Sequence, residues 1–167
     1  PKHIANIQYY EAFMLWLRCR GLEKFVTLIG VRPTDGVMIY KVVHHRAYNP
    51  ETDFTEEGSE RVYGLHGTNA YAIGSILELG KLFASESAAA GHRFLTTKGG
   101  VKNGTYLSPD EITALGYGIA IQMFGDLAYT RFLFKVVANN KQRVPGGAVN
   151  RHGNAQWIYP ENAVLLE

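Results

Sequence analysis

One tetrapeptide fixes where this chain must change direction. Ser108-Pro109-Asp110-Glu111 joins a capping hydroxyl, a proline suited to the first helical turn and a glutamate three residues after the serine. That is a capping box, and the proline pre-sets the backbone angle a helix start requires. The pattern predicts a helix from there to about Phe124, stopped by Gly125. Just before it, Gly104-Thr105-Tyr106-Leu107 reads as a strand. A second strand-to-helix junction stands upstream. Arg61 to His66 is strand-like, and Ala70 to Leu79 places Ile73, Ile76 and Leu77 on one helical face before Gly80.

The remaining elements fit the same plan. Ile7, Tyr10, Phe13, Met14 and Leu17 form an apolar stripe that predicts a helix from Ile4 to about Arg20. Phe25 to Val31 and Val37 to Val43 are rich in β-branched and aromatic residues. Arg32-Pro33-Thr34-Asp35-Gly36 between them carries turn chemistry, which makes a hairpin. Arg131 to Ala138 reads as a strand, and Gln156 to Leu166 as one or two short strands around Pro160. Tyr48 to Glu60, Ser85 to Gly104 and Asn139 to Asn154 read as loops. Short strands around few helices give an α+β class, with two small packed antiparallel or mixed sheets and flanking helices. The expected organisation is one domain over residues 1–167, with 1–24 as an N-terminal accessory helix.

Composition narrows the function. The chain has 167 residues, 46% hydrophobic and 19% charged, which is globular rather than disordered. No stretch reaches the roughly 18 uncharged apolar residues of a membrane helix, so no membrane role is expected. A start at Pro1, without an initiator Met, is what a processed product or an excised domain would have, and no secretory leader stands there. The formal net charge is +2, with the basic excess after residue 61. That suits a phosphate-bearing ligand and is far from a nucleic-acid-binding stripe. The single Cys19 excludes a disulfide framework and a cysteine zinc site, and favours a reducing compartment, cytoplasm or nucleus.

Several motifs are absent. There is no G-x-G-x-x-G, no H-E-x-x-H and no G-x-S-x-G. Gly74 to Gly80-Lys81 approaches a phosphate loop, but it is one residue too long, and Leu82 stands where a hydroxyl should hold magnesium. The six histidines are scattered, and adjacent His44 and His45 on a strand would face opposite ways. No metal site is expected.

His66 differs by its neighbours. Leu65-His66-Gly67-Thr68 lies between a strand and a helix, and Gly67 lets a ligand approach the backbone. Tyr106 ends another strand, with Tyr117 eleven residues later, and Glu161 follows Pro160 in an apolar region. Two aromatic rings would form a slot for a flat heterocycle. A carboxylate would polarise a hydroxyl or stabilise a developing cation. Taken alone, each residue has a structural reading: a packed tyrosine, a solvated turn glutamate, a plain strand exit.

Together the residues are similar to the ADP-ribosyltransferases of the poly(ADP-ribose) polymerase type, the His-Tyr-Glu class. The resemblance covers about residues 38–167 in four pieces. These are Val42-Val43-His44-His45-Arg46-Ala47-Tyr48-Asn49-Pro50, Leu65-His66-Gly67-Thr68, Gly104-Thr105-Tyr106-Leu107 with Ala114 and Tyr117, and Pro160-Glu161-Asn162-Ala163-Val164-Leu165-Leu166. It implies the ADP-ribosyltransferase-like fold, with the sheets around an NAD crevice. NAD is then a consumed co-substrate, and a protein or nucleic acid is the acceptor. His66 would bind a ribose hydroxyl, the Gly67 backbone the nicotinamide carboxamide, and Tyr106 and Tyr117 the nicotinamide ring, with Thr68 in the same cofactor-binding set. Glu161 would hold the ribose 2′-hydroxyl and steady the cation-like transition state, so His66, Tyr106 and Glu161 would be the catalytic set. The loop from Ser85 to Asn103 would cover NAD. The family usually carries a serine three residues before its second tyrosine. Here that position is Ala114, and either Thr113 serves one residue earlier or that hydrogen bond is missing.

The chemistry is self-consistent. Cleaving the bond to nicotinamide leaves an oxocarbenium-like ribose, as in glycoside cleavage. Such a site needs charge stabilisation, a held leaving group and exclusion of water, all without a metal. Three alternatives accompany this reading. One is a catalytically silent domain of the same fold that binds a ligand or partner. Another is an NAD glycohydrolase, in which water is the acceptor. The third is an RNA 2′-phosphotransferase, which would recruit Arg93, Arg131, His92 and His152.

Overall fold

The computed structural model describes residues 2–83, 104–118, 120–122, 129–145, 148–149 and 155–167. The chain is α+β, with three helices and three small antiparallel sheets among the described residues. Helix α1 spans Lys2–Arg18 and is followed by a 3-10 turn at Glu23–Phe25. Strands β1 (Val26–Val31) and β2 (Met38–Val42) form the expected hairpin, closed at its turn by Arg32 N–H to the Val37 carbonyl at 2.8 Å. Strand β3 (Arg61–Thr68) runs into helix α2 (Ala70–Leu79). Strand β4 (Thr105–Leu107) leads to the short helix α3 (Glu111–Leu115). Strands β5 (Phe132–Asn139), β6 (Ala148–Val149), β7 (Ala155–Tyr159) and β8 (Val164–Leu166) complete the chain.

Two sheets were expected, and three are observed. The hairpin β1–β2 stands as a sheet of its own, β3–β5–β8 is a second and β4–β7–β6 a third. The second and third are joined where Leu65 and Ser108 exchange backbone hydrogen bonds at 2.9 and 2.8 Å. That one bridge brings the ends of β3 and β4 together.

The core explains why these elements stay assembled. Helix α2 buries Ala70, Ile73, Ile76 and Leu77, the face its spacing foretold. Each fully buried Ile or Leu contributes about 1.5–3 kcal/mol. Gly80 ends the helix in the left-handed region at φ 66°, donating its N–H to the Ile76 carbonyl at 2.8 Å. The stripe of α1 is partly visible: Phe13 and Leu17 are buried, and Met14 packs against the same core. The Phe13 ring lies 5.4 Å from that of Phe132 and 5.1 Å from that of Tyr40. The N-terminal helix therefore packs onto β5 and the hairpin at once.

The capping tetrapeptide acts one step later than its sequence implies. The cap is Asp110, whose Oδ1 accepts from the Thr113 N–H at 2.8 Å. Ser108 is instead the last paired residue of the β4 line, its Oγ accepting from the Asp110 N–H at 3.3 Å. The helix is also shorter than expected. It ends at Leu115, because Gly116-Tyr117-Gly118 turns the chain and Ile121 pairs with Thr130 in an antiparallel bridge.

Candidate active site

Strand β3 sets the first wall. His66 pairs with Phe134 and is buried, and its Nδ1–H donates to the Tyr106 carbonyl at 2.8 Å. A carbonyl can only accept, so Nδ1 carries a proton. The bond ties the two strand ends that the Leu65–Ser108 bridge has already brought together.

Gly67 sits against α3. A Cβ on it would overlap the Ala114 carbonyl oxygen and come within 3.3 Å of the Gly118 N–H nitrogen. No side chain fits, so the absence of a Cβ is required by backbone-on-backbone packing. That packing places the turn carrying Tyr117 directly beside β3. Tyr117 donates its N–H to the Ala114 carbonyl at 3.1 Å, and its ring is half-buried. Thr68 closes β3 opposite Phe132 and is buried. Thr113 and Ala114 are both buried on α3. His66, Gly67, Thr68, Tyr106, Thr113 and Tyr117 thus gather where β3, β4 and α3 meet.

Glu161 is held by a different partner. Pro160, which has no N–H, terminates β7, and Glu161 opens the 3-10 turn Glu161–Ala163. Its Oε1 accepts from Lys81 Nζ at 2.5 Å, with both side chains about one-third exposed (30% and 38%). Lys81 follows the cap of α2, and ten helical residues, about 15 Å, separate it from Asn69 beside Thr68.

Two residues of this region were not singled out by sequence. Lys81 is the cation on Glu161, and its only sequence signal was a near-miss phosphate loop. Gln156 is the other. It is 2% exposed, and its Oε1 has no hydrogen-bond partner. Leaving a buried polar atom unsatisfied costs about 1–3 kcal/mol. The available signal was an amide at the start of the apolar run Gln156-Trp157-Ile158-Tyr159.

Electrostatics around α3 come from the hairpin. Arg32 reaches across to Glu111, with Nη1 to Oε2 at 2.9 Å and Nη2 to Oε1 at 2.8 Å, and also binds Asp35 at 2.6 Å. The Arg32 guanidinium holds both carboxyls below their ordinary range. The Thr113 N–H does the same for Asp110.

A cleft of about 680 Å³ opens between Trp16 and Arg20 of the α1 end, Tyr71 and Glu78 of α2, and Ile121 with Gln122, and none of the candidate site residues lines it. Among the described residues no three His, Cys, Asp or Glu side chains cluster as metal ligands would, and no helix is long and apolar enough to cross a membrane. The expected covering loop from Ser85 to Asn103 lies outside the described residues, as do His92, Arg93 and His152. Arg131 donates to the Leu115 carbonyl at 3.4 Å.

No protein-family model matches this chain, and no curated protein matches it.

Proposed function

We propose that this chain binds NAD in the crevice between β3, β4 and α3, releases nicotinamide and transfers ADP-ribose to a protein or nucleic-acid acceptor. The observation that carries this reading is the His66–Tyr106 hydrogen bond, which joins the second and third family-like pieces at one strand junction. Tyr106 and Tyr117 would flank the nicotinamide ring, and the backbone at Gly67 and Thr68 would meet its carboxamide. Thr113 is the hydroxyl nearest the position where the family carries serine. His66 would hydrogen-bond a ribose hydroxyl. The single cysteine favours a reducing compartment, cytoplasm or nucleus.

Glu161 would stabilise positive charge on the ribose as the nicotinamide bond breaks. To do so it must turn from Lys81 toward the sugar. That ion pair favours a second reading, in which the domain binds NAD or ADP-ribose without transfer.

Following nicotinamide release and label transfer from NAD separates the two. Release with label on a macromolecule, abolished in Glu161→Gln, supports transfer. Release with no label means hydrolysis. Thermal stabilisation by NAD with no release supports the binding reading.

A further inference from the structure

We infer that Arg32, at the tip of the N-terminal hairpin, is a positioning residue for the candidate site: it holds α3 in the place from which Thr113 and Tyr117 meet the ligand. The inference rests on the NAD reading of the junction. It adds to that reading a residue that lies before the family-like pieces begin.

The arm is fixed before it reaches α3. Arg32 donates its N–H to the Val37 carbonyl at 2.8 Å, and its own carbonyl accepts from the Gly36 N–H at 2.8 Å. Gly36 stands at φ 75°, a conformation that glycine adopts without strain. Asp35 then orients the guanidinium, its carboxylate accepting from Nε at 2.9 Å and from Nη2 at 2.6 Å. Asp35 Oδ1 also accepts from the Val37 N–H at 3.2 Å, which ties that carboxylate to the turn. One edge of the guanidinium is thereby filled from within the hairpin. The other edge, Nη1 and Nη2, donates to both oxygens of Glu111 at 2.9 and 2.8 Å, across 79 residues of sequence. A planar guanidinium serves two carboxylates in this way, and an ammonium does not.

Glu111 is the first residue of α3, and α3 needs such a hold. The helix has five residues, and so short a helix does not keep its place by its own hydrogen bonds. Its outer side offers little packing, since Ile112 is 85% exposed. Its inner side carries the site. Thr113 and Ala114 are buried, and the Ala114 carbonyl lies against Gly67 and accepts from the Tyr117 N–H at 3.1 Å. A shift of α3 away from β3 therefore carries Thr113 and the backbone of Tyr117 with it. The far end of the helix has the longer Arg131 contact, at 3.4 Å to the Leu115 carbonyl.

Two other roles for Arg32 give different results. The Arg32–Glu111 pair is partly exposed, at 36% and 39% of the two side chains, and a purely structural pair of that kind contributes little to stability. An arginine that touched the ligand itself would act without Glu111.

The experiment is NAD affinity by calorimetry on the whole chain, with thermal midpoints and amide hydrogen exchange over residues 111–117 measured without ligand. The variants are Arg32→Gln, Glu111→Gln and the two together. Each single variant is expected to raise Kd about fivefold or more, and the double variant no further, because the two residues act as one unit. Midpoints stay within a few degrees of wild type, and residues 111–117 exchange faster while β3 and β5 do not. Loss of affinity in Arg32→Gln but not in Glu111→Gln marks a direct ligand contact and overturns the positioning role. Unchanged affinity in both single variants, or losses that add in the double variant, overturn it as well. Unchanged exchange over 111–117 overturns the hold on α3 whether or not NAD binds. A wild type that takes up no NAD overturns the NAD reading, and with it the part of Arg32 in binding.

Discussion

The His66 Nδ1–H donates to the main-chain carbonyl of Tyr106 at 2.8 Å, across forty residues of sequence. Because the acceptor is backbone, the bond survives substitution of the Tyr106 side chain but not of the histidine. It also places a proton on Nδ1 of the buried ring. His66→Ala leaves the Tyr106 carbonyl short of a donor, and such losses cost about 1–3 kcal/mol. The expected outcome is a lower urea midpoint together with loss of NAD-induced stabilisation. Tyr106→Phe keeps the backbone bond and should leave the midpoint near wild type.

Gly67→Ala tests how closely β3 and α3 are packed. Its methyl group would overlap the Ala114 carbonyl, which is fixed by its own hydrogen bond to Tyr117. Backbone cannot swing aside as a side chain can, so the cost is at least that of overpacking, about 1–3 kcal/mol. A fall in thermal midpoint of several degrees is expected. An unchanged midpoint would mean that α3 is free to move from β3.

Acid should loosen α3 before the rest of the chain. Asp110 is held below its ordinary value of 3.8 first by the Thr113 N–H, and Glu111 below 4.5 by Arg32. A carboxyl whose pKa is lowered on folding stabilises the fold above its unfolded value, and that contribution is lost as pH falls through the folded one. Stability should therefore hold at neutral pH and decline once pH drops below about 4. Asp110→Asn keeps a cap and should flatten this acid limb, read from thermal midpoints across pH.

At high pH the relevant group is Tyr40. Burial pushes its pKa from 10.0 up to about 12. Here the neutral form is favoured by folding, so its contribution is full below pH 10 and is lost as pH rises toward 12. Burial also raises Tyr159, whose hydroxyl donates to Asn140 Oδ1 at 3.1 Å. Tyr40→Phe should make the alkaline decline shallower, measured as the urea midpoint across that range.

Much of the framework was legible because it is local. The α2 face, the hairpin turn at Arg32 to Val37, and the strands around Pro160 follow from periodicity and turn chemistry over a few residues. The start of the third helix is ambiguous in sequence for a local reason as well. Ser108 and Asp110 both suit a cap, and only the Leu65 bridge shows that Ser108 is still in the sheet. The candidate site is legible in sequence only where one segment carries several signals, as in His66-Gly67-Thr68. Lys81 and Gln156 were not, because an ion pair across eighty residues and an unsatisfied amide depend on chain pairing that no short window contains.

The central claim is that the junction of β3, β4 and α3 is an NAD site. Calorimetric titration of the whole chain with NAD, set beside Tyr117→Ala, tests it most directly. The account requires one-to-one binding by the wild type and a tenfold or greater loss in the variant, about 1.4 kcal/mol or more. A wild type that takes up no heat with NAD and is not stabilised by it would contradict the account.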